Sequence, residues 1–293
     1  MGWGEFFSLG SAFFWALAVV LFRRTNNALP PFELNLFKIL LGFVLIWPLL
    51  LFMEGWRIPD YDAGEMAAVV LSGFLGIAVA DTWYLRALHL MGASRTGIIS
   101  SLLSPFVILL SVLFLSEAMR LWQWAGFGLV MAGILLVTWQ ANREEVDPHD
   151  LRLGLLFGIS AVFLMAAGVV MIKEVLEQRS FMWTTQLRLG SGVAGMLLYM
   201  ALRGRFRQTW GRFQGPLPWG LIIVSSFLGS FVSMIMWLAG YKLIPASEAS
   251  VLNQSANAWI VALAWLMLGE YIGFRKFAGL MLTSAGVLIM LLV

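Results

Sequence analysis

The chain has 293 residues, of which 60% are hydrophobic and 12% charged, with a net charge of +3 and no cysteine. A soluble globule is about 45–50% apolar and about 25% charged, so too few charges are present here to cover a soluble surface. Disordered, collagen-like and disulfide-stapled classes are excluded as well. The composition therefore predicts an integral membrane protein.

Ten apolar stretches are each long enough to cross a bilayer as a helix, since about 20 residues span the hydrocarbon core. Short loops with charges, prolines or glycines separate them. In chain order the predicted spans are 4–22, 34–53, 65–85, 95–115, 121–140, 153–173, 182–202, 217–240, 246–268 and 274–293. The stretches are continuously apolar rather than alternating, which excludes a transmembrane barrel. We therefore predict an all-α membrane protein with ten transmembrane helices.

The second half of the chain repeats the first. Residues 74–140 align without a gap to residues 227–293, a shift of 153 residues. Composition bias accounts for some matched Leu and Ala, but not for Glu117 aligned with Glu270 or for the aligned glycines. The alignment therefore indicates an internal duplication.

The duplication divides the chain into a first repeat (1–140), a polar linker (141–152) and a second repeat (153–293). Each repeat has five predicted helices, so the second repeat enters the membrane from the opposite face. The result is two inverted five-helix repeats, an architecture whose substrate site lies near the bilayer midplane between the repeats.

The end of each repeat carries a recurring motif. Leu115-Ser116-Glu117 and Leu268-Gly269-Glu270 precede the closing helices, and each is followed by two Ala-Gly pairs. Together with the Ala-Ser step that opens the fourth helix of each repeat and with Trp15, these residues resemble the drug/metabolite transporter superfamily, in its EamA-type ten-helix branch. The resemblance covers essentially the whole chain.

The resemblance implies a permease of the plasma (inner) membrane that moves a small polar metabolite by alternating access. Export of amino acids or related compounds is the leading expectation, because similar family members carry such solutes; others move sugars or nucleotide sugars. Glu117 and Glu270 look like caps for the free N–H groups of the next helix, which is a structural role.

Two polar stripes lie at equivalent positions of predicted helices 4 and 9. Spacings of three and four residues place each stripe on one helical face, and both stripes reach the predicted midplane. Polar side chains at that depth either line a wet cavity or hydrogen-bond neighbouring helices. The predicted substrate-binding residues in the stripes are Ser100, Ser101, Ser104, Ser250, Asn253, Gln254 and Asn257. Trp15, Tyr84 and Trp237 are aromatic candidates for the same wall, although most Trp in such chains pack or lie at the headgroups.

Three charges lie about a helical turn or more inside the ends of predicted spans, and they are Lys38, Asp81 and Arg188. A buried charge needs a partner, and Lys38 and Asp81 lie toward the same face, so we predict that they pair. Asp81 either carries a coupling proton or binds a substrate amine, or it is structural, as part of an ion pair or as a snorkelling interfacial acid. In the earlier helices the repeats align at a slightly smaller shift, 150 residues for Lys38 and Arg188. Arg188 either guides an anionic group or snorkels to the interface, where Glu174 and Glu248 compensate it.

Motifs of other function classes are missing. His89 and His149 lie far apart in sequence, so no metal cluster is predicted, and no phosphate-binding G-x-x-x-x-G-K-[ST] motif of an ATPase occurs. The positive charges are spread over many loops, which argues against nucleic-acid binding. We predict no cofactor; the expected partners are a small-molecule substrate, a coupling proton and the lipid bilayer.

Two alternatives to a transporter stay open. One is a membrane-embedded enzyme acting on lipid-linked substrates, which needs a catalytic acid/base set. The other is a non-transporting scaffold or sensor, which needs no central cavity.

Ten spans put both termini on one side of the membrane. Loops 1–2, 3–4, 5–6, 7–8 and 9–10, counted together with the adjoining span ends, carry 12 Lys and Arg, against 5 for the other loops counted in the same way. The positive-inside rule then places the termini outside, whereas the family resemblance places them in the cytoplasm.

Overall fold

In a computed structural model, the structure describes residues 2–25, 28–115, 121–138, 147–269, 271 and 273–291. Ten long helices run through these residues. They are α1 (Trp3–Thr25), α2 (Pro31–Met53), α3 (Ala63–Met91), α4 (Arg95–Phe114), α5 (Leu121–Thr138), α6 (Pro148–Met171), α7 (Phe181–Leu202), α8 (Trp219–Leu243), α9 (Ala246–Leu268) and α10 (Phe274–Leu291). A short helix follows α6 (Lys173–Gln178) and another follows α7 (Phe206–Phe213).

Seven of the helices in the described ranges are long and apolar enough to cross a membrane: α1, α2, α3, α4, α6, α8 and α9. The apolar parts of α5 and α10 are shorter, Trp124–Gly133 and Phe277–Gly286. In α7 a polar run from Thr184 to Arg188 lowers the hydropathy of the first half. The chain is thus an all-helical membrane protein with seven candidate spans, and the crossing of the other three helices stays a prediction.

Side-chain caps and prolines set where several helices begin. Asp62 accepts a hydrogen bond from the Glu65 backbone N–H while the Glu65 carboxylate accepts one from the Asp62 N–H, which is a capping box at the start of α3. The Ser180 hydroxyl caps α7 through the Trp183 N–H. Pro31 begins α2, where its missing N–H costs nothing.

Equivalent helices of the two halves of the chain make equivalent packing contacts. The helix α1 packs against α8 and α9, and its repeat equivalent α6 packs against α3 and α4. Two further contacts join equivalent helices, α2 with α7 and α5 with α10. Because this pattern is unchanged when the halves are exchanged, it is the pattern that a pseudo-two-fold axis between two repeats produces.

Four helices lose regular α-helical geometry, at equivalent positions of the two halves. The middle of α3 is π-helical over Phe74–Val79, and the middle of α8 over Leu228–Val232. A 3-10 turn at Ser100–Leu102 interrupts α4, and a turn at Gln254 interrupts α9. Such irregular backbone is frequent at functional sites, and at membrane depth it is tolerated where protein or a cavity surrounds it.

Cations at the ends of α1 and α6 bind helix carboxyl termini. Arg23 donates to the carbonyl oxygens of Leu88 (3.2 Å) and His89 (3.1 Å), at the end of α3. In the second half Lys173 donates to the Tyr241 carbonyl oxygen (2.6 Å), at the end of α8. These cations satisfy free carbonyl groups, so they have a structural role besides any influence on topology.

Gly73 permits close contact between α3 and α7, and we expect Gly73→Ala to disrupt it. A Cβ at this position would overlap the Arg188 carbonyl oxygen and the Ser191 Oγ. A backbone oxygen cannot rotate away, so the free energy of unfolding should fall by about 3 kcal/mol. Thermal unfolding in detergent measures this loss. Gly220→Ala is the matched control, because a Cβ there meets open space; equal losses in the two variants would contradict the assignment.

Candidate substrate site

A cavity of about 100 Å³ lies where the interrupted helices meet. Of the described helices, α1, α3, α4, α6, α7, α8 and α9 contribute to its wall. One water needs about 10–15 Å³ on this kind of measure, so the space accommodates several waters or a small solute. The polar lining residues are Ser11, Asp81, Tyr84, Ser100, Arg188, Ser233, Asn253, Gln254 and Asn257.

Asn257 is the centre of a hydrogen-bonded amide cluster. Its Nδ2 donates to Ser101 Oγ on α4 (2.8 Å) and to Gln254 Oε1 in the interruption of α9 (2.6 Å). Its Oδ1 is buried and has no partner in the described structure. Buried polar atoms are nearly always satisfied, so this oxygen is positioned to accept a hydrogen bond from a ligand or a water.

Asn253 connects the same helix to the first half of the chain. Its Nδ2 donates to the Ala249 carbonyl oxygen (2.8 Å), and its Oδ1 accepts from Ser11 Oγ on α1 (3.2 Å). Ser233 Oγ in turn donates to the Ser11 carbonyl oxygen (3.1 Å). Three helices therefore meet at one polar corner of the cavity.

Three of the predicted stripe residues lie behind the wall rather than in it. Ser101 contacts the cavity only through Asn257, and the hydroxyls of Ser104 and Ser250 lie 3.2 Å apart between α4 and α9. These serines join helices, as in the alternative interpretation of the stripes. Ser100, Asn253, Gln254 and Asn257 line the cavity.

All three predicted aromatic residues line the cavity. The rings of Trp15 and Tyr84 lie 5.7 Å apart, and the Tyr84 hydroxyl accepts from Ser100 Oγ (3.2 Å). Trp237, the repeat equivalent of Tyr84, packs edge-on against Tyr241 at 5.1 Å. The cavity therefore has an aromatic wall from each half.

Lys38 and Asp81 form a buried ion pair, as the sequence predicts. Asp81 is 6% exposed, so its interpretation as a snorkelling interfacial acid is wrong. Asp81 lines the cavity, whereas Lys38 lies behind it with its ammonium 5.7 Å from the centre of the Trp15 ring. The charge of Lys38 is thus neutralised beside the site.

Arg188 also lines the cavity and is only 2% exposed, so the expectation that it snorkels is wrong. Its guanidinium carbon lies 5.4 Å from the centre of the Trp237 ring. The expected compensation by Glu174 and Glu248 is wrong as well, since neither is in any ion pair that the structure describes with Arg188. The helix is buried there by α3 and α8, which the sequence does not reveal.

Sequence reasoning missed several wall residues. Ser11, Gly76, Gly229 and Ser233 line the cavity, and a Cβ at Gly76 would lie 3.1 Å from an Arg188 Nη atom, so this glycine makes room for the guanidinium. The alignment of Gly76 with Gly229 between the repeats was a sequence signal for these two glycines.

Glu117 and Glu270, the predicted helix caps, lie outside the described residues. The described part of the chain contains no group of three potential metal ligands.

Ion pairs between the two halves lie at opposite ends of the helices around the cavity. Near the start of α3, Glu65 accepts from Arg179 Nε (2.7 Å), and this hydrogen bond raises the pKa of Arg179. Near the start of α2, which is at the other end, Glu33 accepts from Arg212 Nη1 (2.7 Å). The cavity therefore lies between two polar contacts that join the halves.

Comparison with known proteins agrees with this arrangement. The EamA-like transporter family matches residues 2–139 and again residues 152–292. Protein LicB of Haemophilus influenzae is 26% identical over 295 residues, which cover 98% of this chain and 97% of LicB. The uncharacterized transporter YdfC of Bacillus subtilis is 26% identical over 278 residues, 93% of this chain and 86% of YdfC.

Two further similarities are more limited. The rat UDP-N-acetylglucosamine transporter is 26% identical over 138 residues, 44% of this chain and 42% of its own length, so the match spans less than half of that relative. A solved crystal structure superposes with a TM-score of 0.73 at 18% identity, covering 99% of this chain and 96% of its own, which shows a shared fold. Two family matches that together span nearly the whole sequence decide the assignment. The chain belongs to the EamA-like transporter family of the drug/metabolite transporter superfamily, which is a family of multi-pass membrane transporters and not of enzymes.

Proposed function

We propose that this protein moves a small polar metabolite across the plasma (inner) membrane by alternating access, with the central cavity as its substrate site. The observation that carries the proposal is the position of the cavity at the interrupted centres of equivalent helices from both halves. Inverted-repeat transporters bind their substrates at such discontinuous helices.

In this proposal all ten helices cross the membrane as two inverted five-helix repeats. During transport the two halves exchange conformations, and the cavity then opens first to one side of the membrane and afterwards to the opposite side. The ion pairs Arg179–Glu65 and Arg212–Glu33 are the contacts that break in turn as each side opens. A non-transporting scaffold has no need of a polar cavity between its halves, which is why we favour transport.

Amino acids or related compounds, exported from the cell, are the substrates that we propose. Neutral amides and hydroxyls beside aromatic rings suit a small polar solute, and the cavity volume of about 100 Å³ favours a small one. The rat relative is named for UDP-N-acetylglucosamine, a far larger molecule. We propose a proton as the coupling ion. Asp81 supports this proposal, because it is the one carboxylate among the described lining residues.

Counterflow in proteoliposomes tests the proposed function. Vesicles loaded with a pool of unlabelled amino acids are mixed with each labelled amino acid, labelled sugars and labelled UDP-N-acetylglucosamine, with and without a pH gradient. We expect labelled amino acids to accumulate, relative to protein-free vesicles. Accumulation of the nucleotide sugar alone would contradict a small substrate, and accumulation of nothing would contradict transport of this class. A pH-driven component that Asp81→Asn removes would support proton coupling.

Cysteine labelling tests the inverted ten-helix topology. The chain has no cysteine, so single cysteines introduced at exposed positions report sidedness without background. Two helices, α1 and α2, lie between Gly2 and Asp60, so both positions should lie on the same side of the membrane. We therefore expect Gly2→Cys and Asp60→Cys to react from one face, in intact cells or in inverted vesicles. Arg207→Cys should react from the opposite face. Labelling of Asp60→Cys and Arg207→Cys from the same face would contradict the topology, and the face labelled in intact cells distinguishes the two predicted orientations.

A further inference from the structure

Arg188 is a buried cation without a described counter-ion. None of the ion pairs in the described part of the chain includes it, and its Nε and Nη1 atoms are buried without any hydrogen-bond partner. The side chain is 2% exposed and lines the cavity. A buried charge without an ion-pair partner in contact is costly, so an anion bound in the cavity would stabilise Arg188.

Comparison of the two halves identifies what is missing. In the first half the equivalent cation, Lys38 on α2, pairs with Asp81 on α3. In the second half Arg188 lies on α7, and position 234 on α8 is the equivalent of Asp81 by the shift of 153 residues. That position is Met234, which lines the cavity but has no charge. The second half thus keeps the cation and lacks its carboxylate.

The surroundings of Arg188 suit an incoming anion. Asp81, the lining carboxylate, is already engaged by Lys38, and the glycine at position 76 leaves space beside the guanidinium. Trp237 lies over the guanidinium carbon at 5.4 Å, and contact with an aromatic face orients a planar cation. A fixed guanidinium binds carboxylate and phosphate groups through two parallel hydrogen bonds.

We infer that Arg188 binds the anionic group of the transported solute, a carboxylate or a phosphate, beside Met234, where a carboxylate equivalent to that of Asp81 is missing. This inference rests on the proposed function of the cavity as the substrate site. An amino acid would place its carboxylate there and its other polar groups on the amide cluster. A solute without an anionic group would leave Arg188 uncompensated and should bind weakly.

Thermal unfolding of the purified protein tests the inference with matched small probes. L-lactate, its neutral amide lactamide, and inorganic phosphate are added to wild type, Arg188→Met and Met234→Asp, with Arg207→Met as the control. We expect lactate or phosphate to raise the wild-type Tm by on the order of 3 °C, and lactamide to have no effect. Stabilisation by only one of the two anions identifies whether the solute carries a carboxylate or a phosphate.

The variants separate binding at Arg188 from binding elsewhere. Arg188→Met should lose the anion effect, and Met234→Asp should lose it because an internal carboxylate now pairs with Arg188. Arg207→Met removes an exposed cation that does not line the cavity, so this variant should keep the anion effect. Equal stabilisation by lactate and lactamide, persistence of the effect in Arg188→Met, or no effect of either anion on wild type would overturn the inference.

Counterflow distinguishes failure of this inference from failure of the proposed function. If wild type transports solutes and Arg188→Met transports them at the same rate, transport stands and the anion site is wrong. If wild type transports nothing while anions still raise its Tm through Arg188, the anion site stands and transport of the tested solutes is wrong.

Discussion

Solute counterflow through Asn257→Leu is expected to fall by about 100-fold relative to wild type. The substitution leaves Ser101 Oγ and Gln254 Oε1 without their donor and removes the unpartnered Oδ1 from the cavity. Without the Oδ1 acceptor, a donor group of the bound solute is left unpaired, which costs about 1–3 kcal/mol, and about 3 kcal/mol corresponds to roughly two orders of magnitude in affinity. Initial rates in proteoliposomes measure the loss.

The matched control for this variant is Ser255→Ala on the same helix. Ser255 Oγ donates to the Leu252 carbonyl oxygen and does not line the cavity, so its counterflow rate should equal that of wild type. Circular dichroism and size-exclusion chromatography verify that both variants are folded. If Asn257→Leu transports at the full rate, the amide cluster only packs helices and the proposed substrate site is wrong.

The second large effect concerns the ion pair between Lys38 and Asp81. Asp81→Asn should lower the free energy of unfolding by about 3–5 kcal/mol, because it leaves the Lys38 ammonium buried without its counter-ion. The double variant Lys38→Met/Asp81→Asn should regain most of this loss, since neither charge then remains. Unfolding in denaturant, followed by tryptophan fluorescence, measures both changes.

Glu65→Gln serves as the control, because it breaks the ion pair with Arg179 at the periphery rather than in the centre. The Arg179 side chain is 37% exposed, and solvent screens such a pair, so its loss should change stability little. A double variant no more stable than Asp81→Asn would mean that the cost lies in lost packing and not in the unpaired charge. The same set of variants, assayed for pH-driven counterflow, distinguishes a structural pair from a proton carrier.

Most of the architecture could be predicted because it depends on local composition. Apolar stretches of about 20 residues, separated by polar loops, predict the ten long helices to within a few residues at most ends. The shift of 153 residues between the repeats predicts which helices correspond, and the observed packing follows that correspondence. The interruption of α4 at Ser100–Leu102 lies just before Pro105, which has no N–H to bond the Ser101 carbonyl oxygen, so this proline is the sequence signal for loosened backbone there.

The candidate site could be predicted only in part. Spacings of three and four residues place Asn253 and Asn257 on one face of α9, and Ser104 on the equivalent face of α4. The rotation of each helix about its own axis decides which of these side chains reach the cavity. Ser104 faces Ser250 in the neighbouring helix, one layer behind the wall. Ser11 and Ser233 were missed because single serines in apolar helices are common and carry no pattern of their own.

The sequence by itself determined the membrane class, the helices, the duplication and the partnership of Lys38 with Asp81, because hydropathy, repeat alignment and the cost of an unpaired charge are all legible along the chain. Only the tertiary structure decided that Arg188 lines a cavity and is in none of the described ion pairs, instead of snorkelling to the interface. The physical reason is that a long cationic side chain can reach water from many positions in a helix. Whether it does depends on the neighbouring helices, here α3 and α8, which enclose it.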